Sequence, residues 1–336
     1  MNNIRVCVTG ATGFVGAHLV CLLLKKGYQV NALARSADKI AFFQRIHTYH
    51  DLPANLQPQW VYGDLSDTDS LIELSQNCSQ FYHCAALVSF SSADREILYQ
   101  TNVEGTHNVV NACLANNIKH LLYTSSVAAL GRNEKQTTIN EDAKWVDSKL
   151  NSNYAITKHK AELEVWRAKE EGIQIGIVNP GIILGYGDGH SSSNQIYQIA
   201  KKNLPFYPTG SNGFVGVEDV ASLLIFIAEN QLWDKRFICV SENLTYKHIF
   251  HLLSQEMGTK MPEKPLKKSW LSLLVAIAGL AEKLHLPFPI PSETLYSTAE
   301  NSVYHTIYEK ELQQFIYQPI RAVNHYALKA LGLSTH

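Results

Sequence analysis

The stretch VCVTGATGFVG, residues 6–16, decides the fold class of this 336-residue chain. An apolar run ends at Thr9, and three glycines at G-x-x-G-x-x-G spacing then open a helical pattern. We expect Gly10 to permit the tight turn, Gly13 to let the backbone approach a pyrophosphate, and Gly16 to allow close helix–strand packing. The helix N-terminus would present free N–H groups to the phosphates. The loop residues predicted to bind a dinucleotide are Gly10, Thr12, Gly13, Phe14, Val15 and Gly16.

Around this motif, strand and helix patterns alternate through the first half of the chain. Short apolar runs such as YQVNALAR and IQIGIVNPG are separated by amphipathic segments such as GAHLVCLLLKKG. This alternation predicts right-handed βαβ crossovers and a parallel sheet covered by helices on both faces. The predicted fold class is therefore α/β, a Rossmann-type doubly wound parallel sheet with a smaller, mainly helical C-terminal substrate lobe.

The texture of the sequence changes after Pro180, where Gly and Ser become frequent. We predict a nucleotide-binding domain over residues 1–180, to which residues 215–241 return. Residues 181–214 and 242–336 would form the substrate-binding lobe. The apolar stretch 270–281 is shorter than the roughly 20 residues of a membrane-spanning helix. We interpret it as a buried helix or a wall of the substrate pocket, with a membrane-surface helix as the alternative.

Composition excludes several classes of function. The net charge of −1 argues against a nucleic-acid partner, because phosphate binding draws on a clustered excess of Lys and Arg. Six scattered cysteines without a CxxC pair, and no signal-peptide pattern, predict a cytoplasmic protein with reduced thiols. Among fourteen histidines, His47 and His50 are three apart, but no acidic or cysteine partner stands at ligand spacing. We therefore predict no metal site.

The end of the second strand selects the form of the dinucleotide. An Asp or Glu there would bind the ribose hydroxyls of NAD. This chain instead has NALARSADK, with Arg35 at the corresponding place. A guanidinium suits a 2′-phosphate, because it donates planar, charge-assisted hydrogen bonds. The sequence therefore favours NADP(H) over NAD(H).

Three further strand ends fit the same ligand, because open α/β sheets bind ligands at the carboxyl ends of their strands. A carboxylate in YGDLSD would accept from the adenine amino group, and small residues in HCAALVSF would let the chain pass close to the ribose. Backbone groups in NPGIIL would hold the nicotinamide amide. The residues concerned are Asp64, Leu65, Ala85, Ala86, Pro180, Ile182 and Ile183.

A candidate catalytic set lies at the same edge of the sheet. The fifth strand ends in YTSSVAALG, and the next helix begins with SNYAITKHKAE, which places Tyr154 and Lys158 on one helix face. Hydride transfer to a carbonyl requires a proton for the new alkoxide, and a phenol can donate it. A nearby ammonium and an oxidised nicotinamide would lower the pKa of that phenol. The Ser126 hydroxyl would hydrogen-bond the same substrate oxygen.

With these residues the chain resembles an extended short-chain dehydrogenase/reductase, of the NAD-dependent epimerase/dehydratase superfamily. The segments that carry the resemblance occur in the family's order: TGATGFVG (9–16), GDL (63–65), CAAL (84–87), TNVEGTHNVV (101–110), TSS (124–126), YAITK (154–158) and NPG (179–181). Within the family, LAR at the end of strand two, TSSVAALG and NPGIILGYGD are most similar to dihydroflavonol-reductase-like and 3β-hydroxysteroid-dehydrogenase-like members.

The resemblance implies roles for single residues. Ser126 orients the substrate, Tyr154 is the acid/base, and Lys158 tunes the tyrosine and binds the nicotinamide ribose. Ser125 is a neighbour of the nicotinamide. Asn102 matches the family's helix asparagine, which supports a proton relay in some members; a structural role is the alternative for this chain. Relatives often form homodimers through the helices at 102–116 and 155–170.

Three functions remain open from the sequence. The first is NADPH-dependent reduction of an apolar or aromatic carbonyl compound to its alcohol, or the reverse, with aromatic pocket residues such as Phe206 and Phe214. The second is a sugar-nucleotide epimerase or dehydratase with tightly bound NAD, which is disfavoured because the C-terminal half contains only Arg236 and Arg321 as arginines. The third is a cofactor-binding sensor without catalysis, against which the Ser126–Tyr154–Lys158 set speaks.

Overall fold

The structure is a computed structural model. It describes residues 4–131, 138–148, 151–188, 195–266 and 298–335, together with Trp270 and Ile277.

The strands are short and are numbered from the N-terminus. They are β1 (Arg5–Thr9), β2 (Gln29–Ala34), β3 (Gln59–Tyr62), β4 (Gln80–His83), β5 (His120–Thr124), β6 (Thr138–Ile139), β7 (Gln174–Pro180), β8 (Ile182–Leu184), β9 (Phe206–Tyr207), β10 (Ser211–Gly216), β11 (Lys235–Cys239), β12 (Glu242–Thr245), β13 (Lys264–Pro265) and β14 (Val303–Tyr304).

The helices alternate with the strands through the first half, as the sequence pattern predicts. They are α1 (Phe14–Lys25), α2 (Ala37–Tyr49), α3 (Thr68–Ser75), α4 (Arg95–Tyr99), α5 (Gly105–Ala115), α6 (Asn153–Glu170), α7 (Gln195–Lys201), α8 (Val217–Glu229), α9 (Tyr246–Met257) and α10 (Ile320–Ala330). A π-helical turn, Gln100–Glu104, joins α4 to α5, and a short 3₁₀ helix, Val127–Leu130, follows β5. The helix expected at 102–116 thus begins in a π-helical turn and continues as α5.

Among the described residues, seven parallel strands form the central sheet in the order β11-β7-β5-β4-β1-β2-β3. The chain order of the strands runs in one direction from β1 to β3 and in the other from β4 to β11. Open α/β sheets form a ligand crevice at such a reversal, which here lies between β1 and β4. The α/β class and the doubly wound parallel sheet predicted from the sequence are confirmed.

Strand residues alternate between two apolar layers, because successive side chains point to opposite faces. Val6 and Val8 face the layer formed with α1, α2 and α8. Cys7 faces the opposite layer, formed with α3, α5 and α6. Burial on both faces explains why the strands read as continuous apolar runs.

A second, smaller set of elements packs beside the sheet. Strands β8, β10 and β12 form a three-stranded sheet, and α7, α9 and α10 share an apolar cluster with it. Strand β11 pairs with β7 in the main sheet, and α8 packs on α1. The chain therefore leaves the central sheet after β7 and re-enters it at α8 and β11.

Candidate active site

The turn between β1 and α1 needs glycine at its first and last positions. Gly10 has φ +71°, and a Cβ on it would lie 2.6 Å from the backbone nitrogen of Ala85. A Cβ on Gly16 would lie 2.1 Å from the carbonyl oxygen of Gly10. No real Cβ contact is that short, so both positions exclude other side chains because the backbones meet there.

The N-terminus of α1 fits a phosphate group. Gly13 is the N-cap residue, it is exposed, and no side chain caps the helix. A Cβ on Gly13 would meet only the Gly10 carbonyl oxygen, at 3.2 Å. The protein therefore places no severe packing demand on this glycine. The uncapped N–H groups after Gly13 form an anion site with the positive end of the helix dipole, and Thr12, Phe14 and Val15 flank it, each half-buried.

Two polar side chains lie at neighbouring strand ends. Arg35 follows β2, it is exposed, and its guanidinium has no hydrogen bond or ion pair with the described residues. Asp64 follows β3 and is exposed, and its Oδ1 accepts from the backbone nitrogen and the hydroxyl of Ser66, both at 3.1 Å. The Arg35 guanidinium and the second Asp64 oxygen are available to a ligand.

The remaining predicted cofactor residues line the strand ends in different ways. Ala85, half-buried, backs Gly10, and Ala86 is exposed. Leu65 is buried, and its carbonyl oxygen accepts from an asparagine side chain of α5. Pro180 ends β7, whereas Ile182 and Ile183 lie in β8, where they pair with β10. Part of the backbone of these two isoleucines is thus hydrogen-bonded to β10 in the three-stranded sheet.

Tyr154 lies in the first turn of α6, where Ser152 caps the helix by accepting from the Ala155 nitrogen at 2.9 Å. The tyrosine ring is buried and packs edge-on against Phe90, with ring centroids 5.6 Å apart. Burial raises the pKa of Tyr154 to about 12, and a hydrogen bond with Ser126 opposes that rise. The structure thus brings together the serine that follows β5 and the tyrosine of α6 that the sequence singled out.

Lys158 is one turn further along α6 and is 1% exposed. Its ammonium donates to the Tyr123 phenol oxygen at 2.6 Å and to the Thr124 carbonyl oxygen at 2.9 Å. Burial lowers the pKa of Lys158 from 10.5 to about 7, against the opposing effects of Glu162 and Cys84. An ammonium has three N–H groups, and two are used by β5.

Burial sets the pKa of Tyr154 in the protein alone. The sequence predicts a phenol shifted towards neutrality once an ammonium and an oxidised nicotinamide lie beside it, and burial shifts the pKa of Tyr154 upward before that charge acts. The physical reason is desolvation, which disfavours the phenolate more than the Ser126 hydrogen bond favours it. Tyr154 is therefore a neutral phenol, which is the form that donates a proton.

Ser126 and Ser125 point in different directions. Ser126 is half-buried, and its hydroxyl oxygen accepts from the Ala128 nitrogen at 3.1 Å, as the cap of the 3₁₀ helix. Ser125 is buried, and its hydroxyl donates to Glu162 at 2.7 Å. The hydroxyl hydrogen of Ser125 thus forms a hydrogen bond within the protein, whereas Ser126 lies beside Tyr154.

Asn102 lies in the π-helical turn and is buried. Its amide accepts from the Leu87 nitrogen at 2.8 Å and donates to the Leu87 oxygen at 3.0 Å and to the Thr157 hydroxyl at 3.1 Å. These bonds hold the segment after β4 against α6. The partners of this side chain are the Leu87 backbone and the Thr157 hydroxyl, which supports the structural alternative for Asn102.

Sequence reasoning missed two residues beside the candidate catalytic set. Tyr123 holds Lys158 from β5, and Glu162 is a buried carboxylate four residues after Lys158. The K-x-x-x-E spacing puts Lys158 and Glu162 on one helix face, so this signal was present in the sequence. Tyr123 has no such local signal, because its partner lies on another element.

The fold also joins histidines with a carboxylate. His18, His50 and Glu218 offer ligand atoms within 4.8 Å of one another. The Nδ1 of His18 and the Nε2 of His50 are 2.9 Å apart, and the Nε2 of His18 lies 2.9 Å from the Tyr186 carbonyl oxygen. Burial lowers the pKa of His18 to about 4 and of His50 to about 3. The two neutral rings thus form a hydrogen bond with each other. The neighbours of His50 in this cluster, His18 and Glu218, are distant from it in the sequence.

Two segments predicted to belong to the substrate-binding lobe lie only partly within the described residues. Most of the apolar stretch 270–281 lies outside the described residues, and Trp270 and Ile277 within it are 59% and 45% exposed. Part of the predicted substrate-lobe segment 181–214 also lies outside them. Phe214 is buried in the core against Tyr246, whereas Phe206 is half exposed. In the described part of the chain, no helix combines the length and apolarity needed to cross a bilayer.

The sequence and the fold of the chain are similar to those of known proteins. A model of the NAD-dependent epimerase/dehydratase family matches residues 6–237. Over 307 residues the chain is 33% identical to a putative dihydroflavonol 4-reductase of Synechocystis sp. (strain ATCC 27184 / PCC 6803 / Kazusa), covering 88% of this chain and 85% of that protein. The solved structure of gox2253 superposes with a TM-score of 0.79 at 28% identity over 98% of both chains. A UDP-glucose 4-epimerase from Thermotoga maritima has a TM-score of 0.75 at 15% identity over 98% and 99% of the two chains, a likeness of fold.

Proposed function

The chain belongs to the NAD-dependent epimerase/dehydratase family, and we propose that it is an NADPH-dependent oxidoreductase. It reduces the carbonyl group of an apolar or aromatic small molecule to an alcohol, or catalyses the reverse oxidation. The observation that carries the proposal is the meeting of Tyr154 with Ser126, one helical turn from the buried Lys158. This set lies at the carboxyl edge of the same sheet as the glycine turn.

The residues present divide the work of a carbonyl reduction. A bound reduced nicotinamide supplies the hydride. The Ser126 hydroxyl donates a hydrogen bond to the carbonyl oxygen and stabilises the charge that develops there. Tyr154, a phenol that is neutral at physiological pH and whose pKa burial raises further, gives its proton to that oxygen. The cationic form of Lys158 next to the site stabilises the phenolate that remains.

The NADP form of the cofactor rests on Arg35. Its guanidinium is exposed, without a partner among the described residues, and directly follows β2. The N-terminus of α1 would hold the pyrophosphate, and Arg35 the 2′-phosphate, by charge-assisted hydrogen bonds. The identity to a putative dihydroflavonol 4-reductase supports an apolar or aromatic substrate.

The experiment is a panel of aldehydes, ketones and the corresponding alcohols, with NADPH and with NADH, followed by nicotinamide absorbance. We expect turnover of at least one aromatic carbonyl compound with NADPH, and release of the cofactor on dialysis. Purified protein that retains NAD⁺ through dialysis and reduces none of the panel would instead indicate an epimerase or dehydratase. Binding of NADPH without any turnover would indicate a sensor.

A further inference from the structure

Glu162 is a carboxylate buried in the middle of the catalytic helix. It is 2% exposed, and it lies four residues after Lys158 and eight after Tyr154 on α6. Charged side chains are almost never fully buried unless they are paired, because desolvation of the charge is costly. The position of Glu162 therefore requires partners from the elements on which α6 packs.

Three partners come from three neighbouring strands. The Oε2 atom accepts from the Ser125 hydroxyl at 2.7 Å and from the Asn179 amide at 2.9 Å. The Oε1 atom accepts from Arg236 at 3.1 Å. Ser125 follows β5, Asn179 lies near the end of β7, and Arg236 lies in β11. One carboxylate thus joins the catalytic helix to three consecutive strands of the sheet.

The same network reaches Ser126. The Asn179 amide that donates to Glu162 also donates to the carbonyl oxygen of Ser126, at 3.0 Å. The backbone nitrogen of Ser125 donates to the Val178 oxygen at 2.7 Å. Through Ser125 and Asn179, the carboxylate therefore holds the two-residue serine segment from both sides.

We propose that Glu162 is a positioning residue, which fixes the Ser125–Ser126 segment against the catalytic helix and so sets the geometry in which Ser126 meets Tyr154. The inference rests on the proposed oxidoreductase function. Glu162 itself does not touch the reacting atoms in this role. It acts through Ser125 and Asn179.

The charge of Glu162 has a second effect, on Lys158. Glu162 and Cys84 raise the pKa of Lys158, whereas burial lowers it. The other titratable groups around this lysine are His83 on β4, Tyr123 on β5 and Tyr154 on α6. Burial lowers the pKa of His83 to about 3 and raises the pKa of both tyrosines, so these three groups are neutral at physiological pH. Among the described groups around Lys158, the Glu162 carboxylate is therefore a nearby negative charge that favours the cationic form of the lysine.

Arg236 connects this network to the C-terminal part of the chain. Its guanidinium also donates to the carbonyl oxygens of Glu141 and Ala143, at 2.6–2.9 Å. The Glu141 carboxylate in turn accepts from the Thr306 hydroxyl and the Ile307 nitrogen, at 2.7 and 2.9 Å. A purely structural role for Glu162 would consist of anchoring these segments, and the test must separate that role from positioning.

The test compares Glu162→Gln with Glu164→Gln. Glu164 lies on the same helix and is also paired with an arginine, Arg167 at 2.9 Å, but it is partly exposed. Each full-length variant and the wild type are assayed for kcat, KM and NADPH affinity across the pH range around 7. The wild-type turnover tests the proposed function, and the difference between the two variants tests the role of Glu162.

We expect Glu162→Gln to lower kcat on the order of 10- to 100-fold with KM nearly unchanged, because small misplacements of catalytic groups have effects of that size. Without the carboxylate, Lys158 loses its proton at lower pH. The loss of NADPH affinity on the alkaline side should therefore move down by about one pH unit. Glu164→Gln should match the wild type in both respects. Wild-type kcat and an unshifted pH profile in Glu162→Gln would overturn the proposal.

Glu162→Gln leaves the partly buried Arg236 without its carboxylate partner, which would destabilise the folded protein. The double variant Glu162→Gln/Arg236→Gln removes both charges and serves as the second test. We expect it to retain the reduced kcat and the shifted profile of Glu162→Gln. A double variant that is folded and has wild-type kinetics would show that Glu162 is structural only.

Discussion

The Nζ atom of Lys158 lies 2.6 Å from the phenol oxygen of Tyr123 and 4.2 Å from the centroid of the same ring. The lysine is on α6 and the tyrosine on β5, so the contact joins the helix that carries Tyr154 to the strand that leads to Ser126. Tyr123 stacks on His83, with ring centroids 5.3 Å apart. Buried side chains thus hold the ammonium. Their burial of this group lowers its pKa to about 7.

Tyr154→Phe should lower turnover by a factor of about 10² to 10⁴, because general acid–base catalysis contributes rate factors of that size. NADPH affinity should remain nearly unchanged, since the ring and its contact with Phe90 stay in place. Steady-state kinetics and a fluorescence titration of NADPH measure the two quantities. Tyr82→Phe, another buried tyrosine, on β4, is the matched control. Equal activity of Tyr154→Phe and the wild type would refute the assignment of Tyr154 as proton donor.

Arg35→Asp should shift the preference from NADPH to NADH by on the order of tenfold or more, because a charge-assisted bond to the 2′-phosphate becomes a repulsion. The ratio of kcat/KM with the two cofactors measures the shift. Arg45→Asp makes the same charge change at an exposed position of α2 and should leave the ratio unchanged. A wild type that uses NADH as well as NADPH would contradict the role of Arg35.

Gly13→Ala and Gly16→Ala should separate binding from stability. At Gly16 the added Cβ would lie 2.1 Å from the Gly10 carbonyl oxygen, so the backbone must shift and the melting temperature should fall. At Gly13 the single contact is 3.2 Å and the residue is exposed, so folding should be nearly preserved while dinucleotide affinity is lost. Thermal unfolding and NADPH titration check both variants. Wild-type affinity in Gly13→Ala would show that the pyrophosphate does not approach this turn.

Lys158→Met should change the pH dependence of stability. Burial lowers the pKa of Lys158 from 10.5 to about 7, so between these values the unfolded chain binds a proton that the folded protein does not. The free energy of unfolding of the wild type should therefore rise with pH across this window, by at most about 1.4 kcal/mol per pH unit, and the penalty should be complete below pH 7. The variant lacks the titrating group and this slope.

Urea unfolding of the wild type and Lys158→Met at several pH values within that window measures the difference. The stability of the variant relative to the wild type should be greatest near pH 7 and decrease as the pH approaches 10.5. Lys160→Met, an exposed lysine of the same helix, is the control and should show a constant difference. A constant difference for Lys158→Met as well would mean that this lysine is not shifted by burial.

The fold class and the composition of the site follow from local patterns. Glycine spacing over 10–16, alternating strands and helices, and the carboxyl ends of parallel strands are all features that a sequence displays directly. For this reason Ser126 and Tyr154 could be predicted to meet, although 28 residues separate them in the sequence. The π-helical turn at Gln100–Glu104 could not be predicted, because it depends on packing against α6 and on the bonds of Asn102.

By itself, the sequence determined the doubly wound sheet, and it pointed to the glycine turn and to Ser126, Tyr154 and Lys158 as candidate site residues. Only the tertiary structure decided that Ser125 donates its hydrogen to Glu162, that Tyr123 holds Lys158, and that His50 meets His18 and Glu218. The physical reason lies in the range of the forces. Turn geometry and strand or helix periodicity are set by neighbouring residues, whereas a buried polar side chain takes its hydrogen-bond partners from whichever elements the packed core brings beside it.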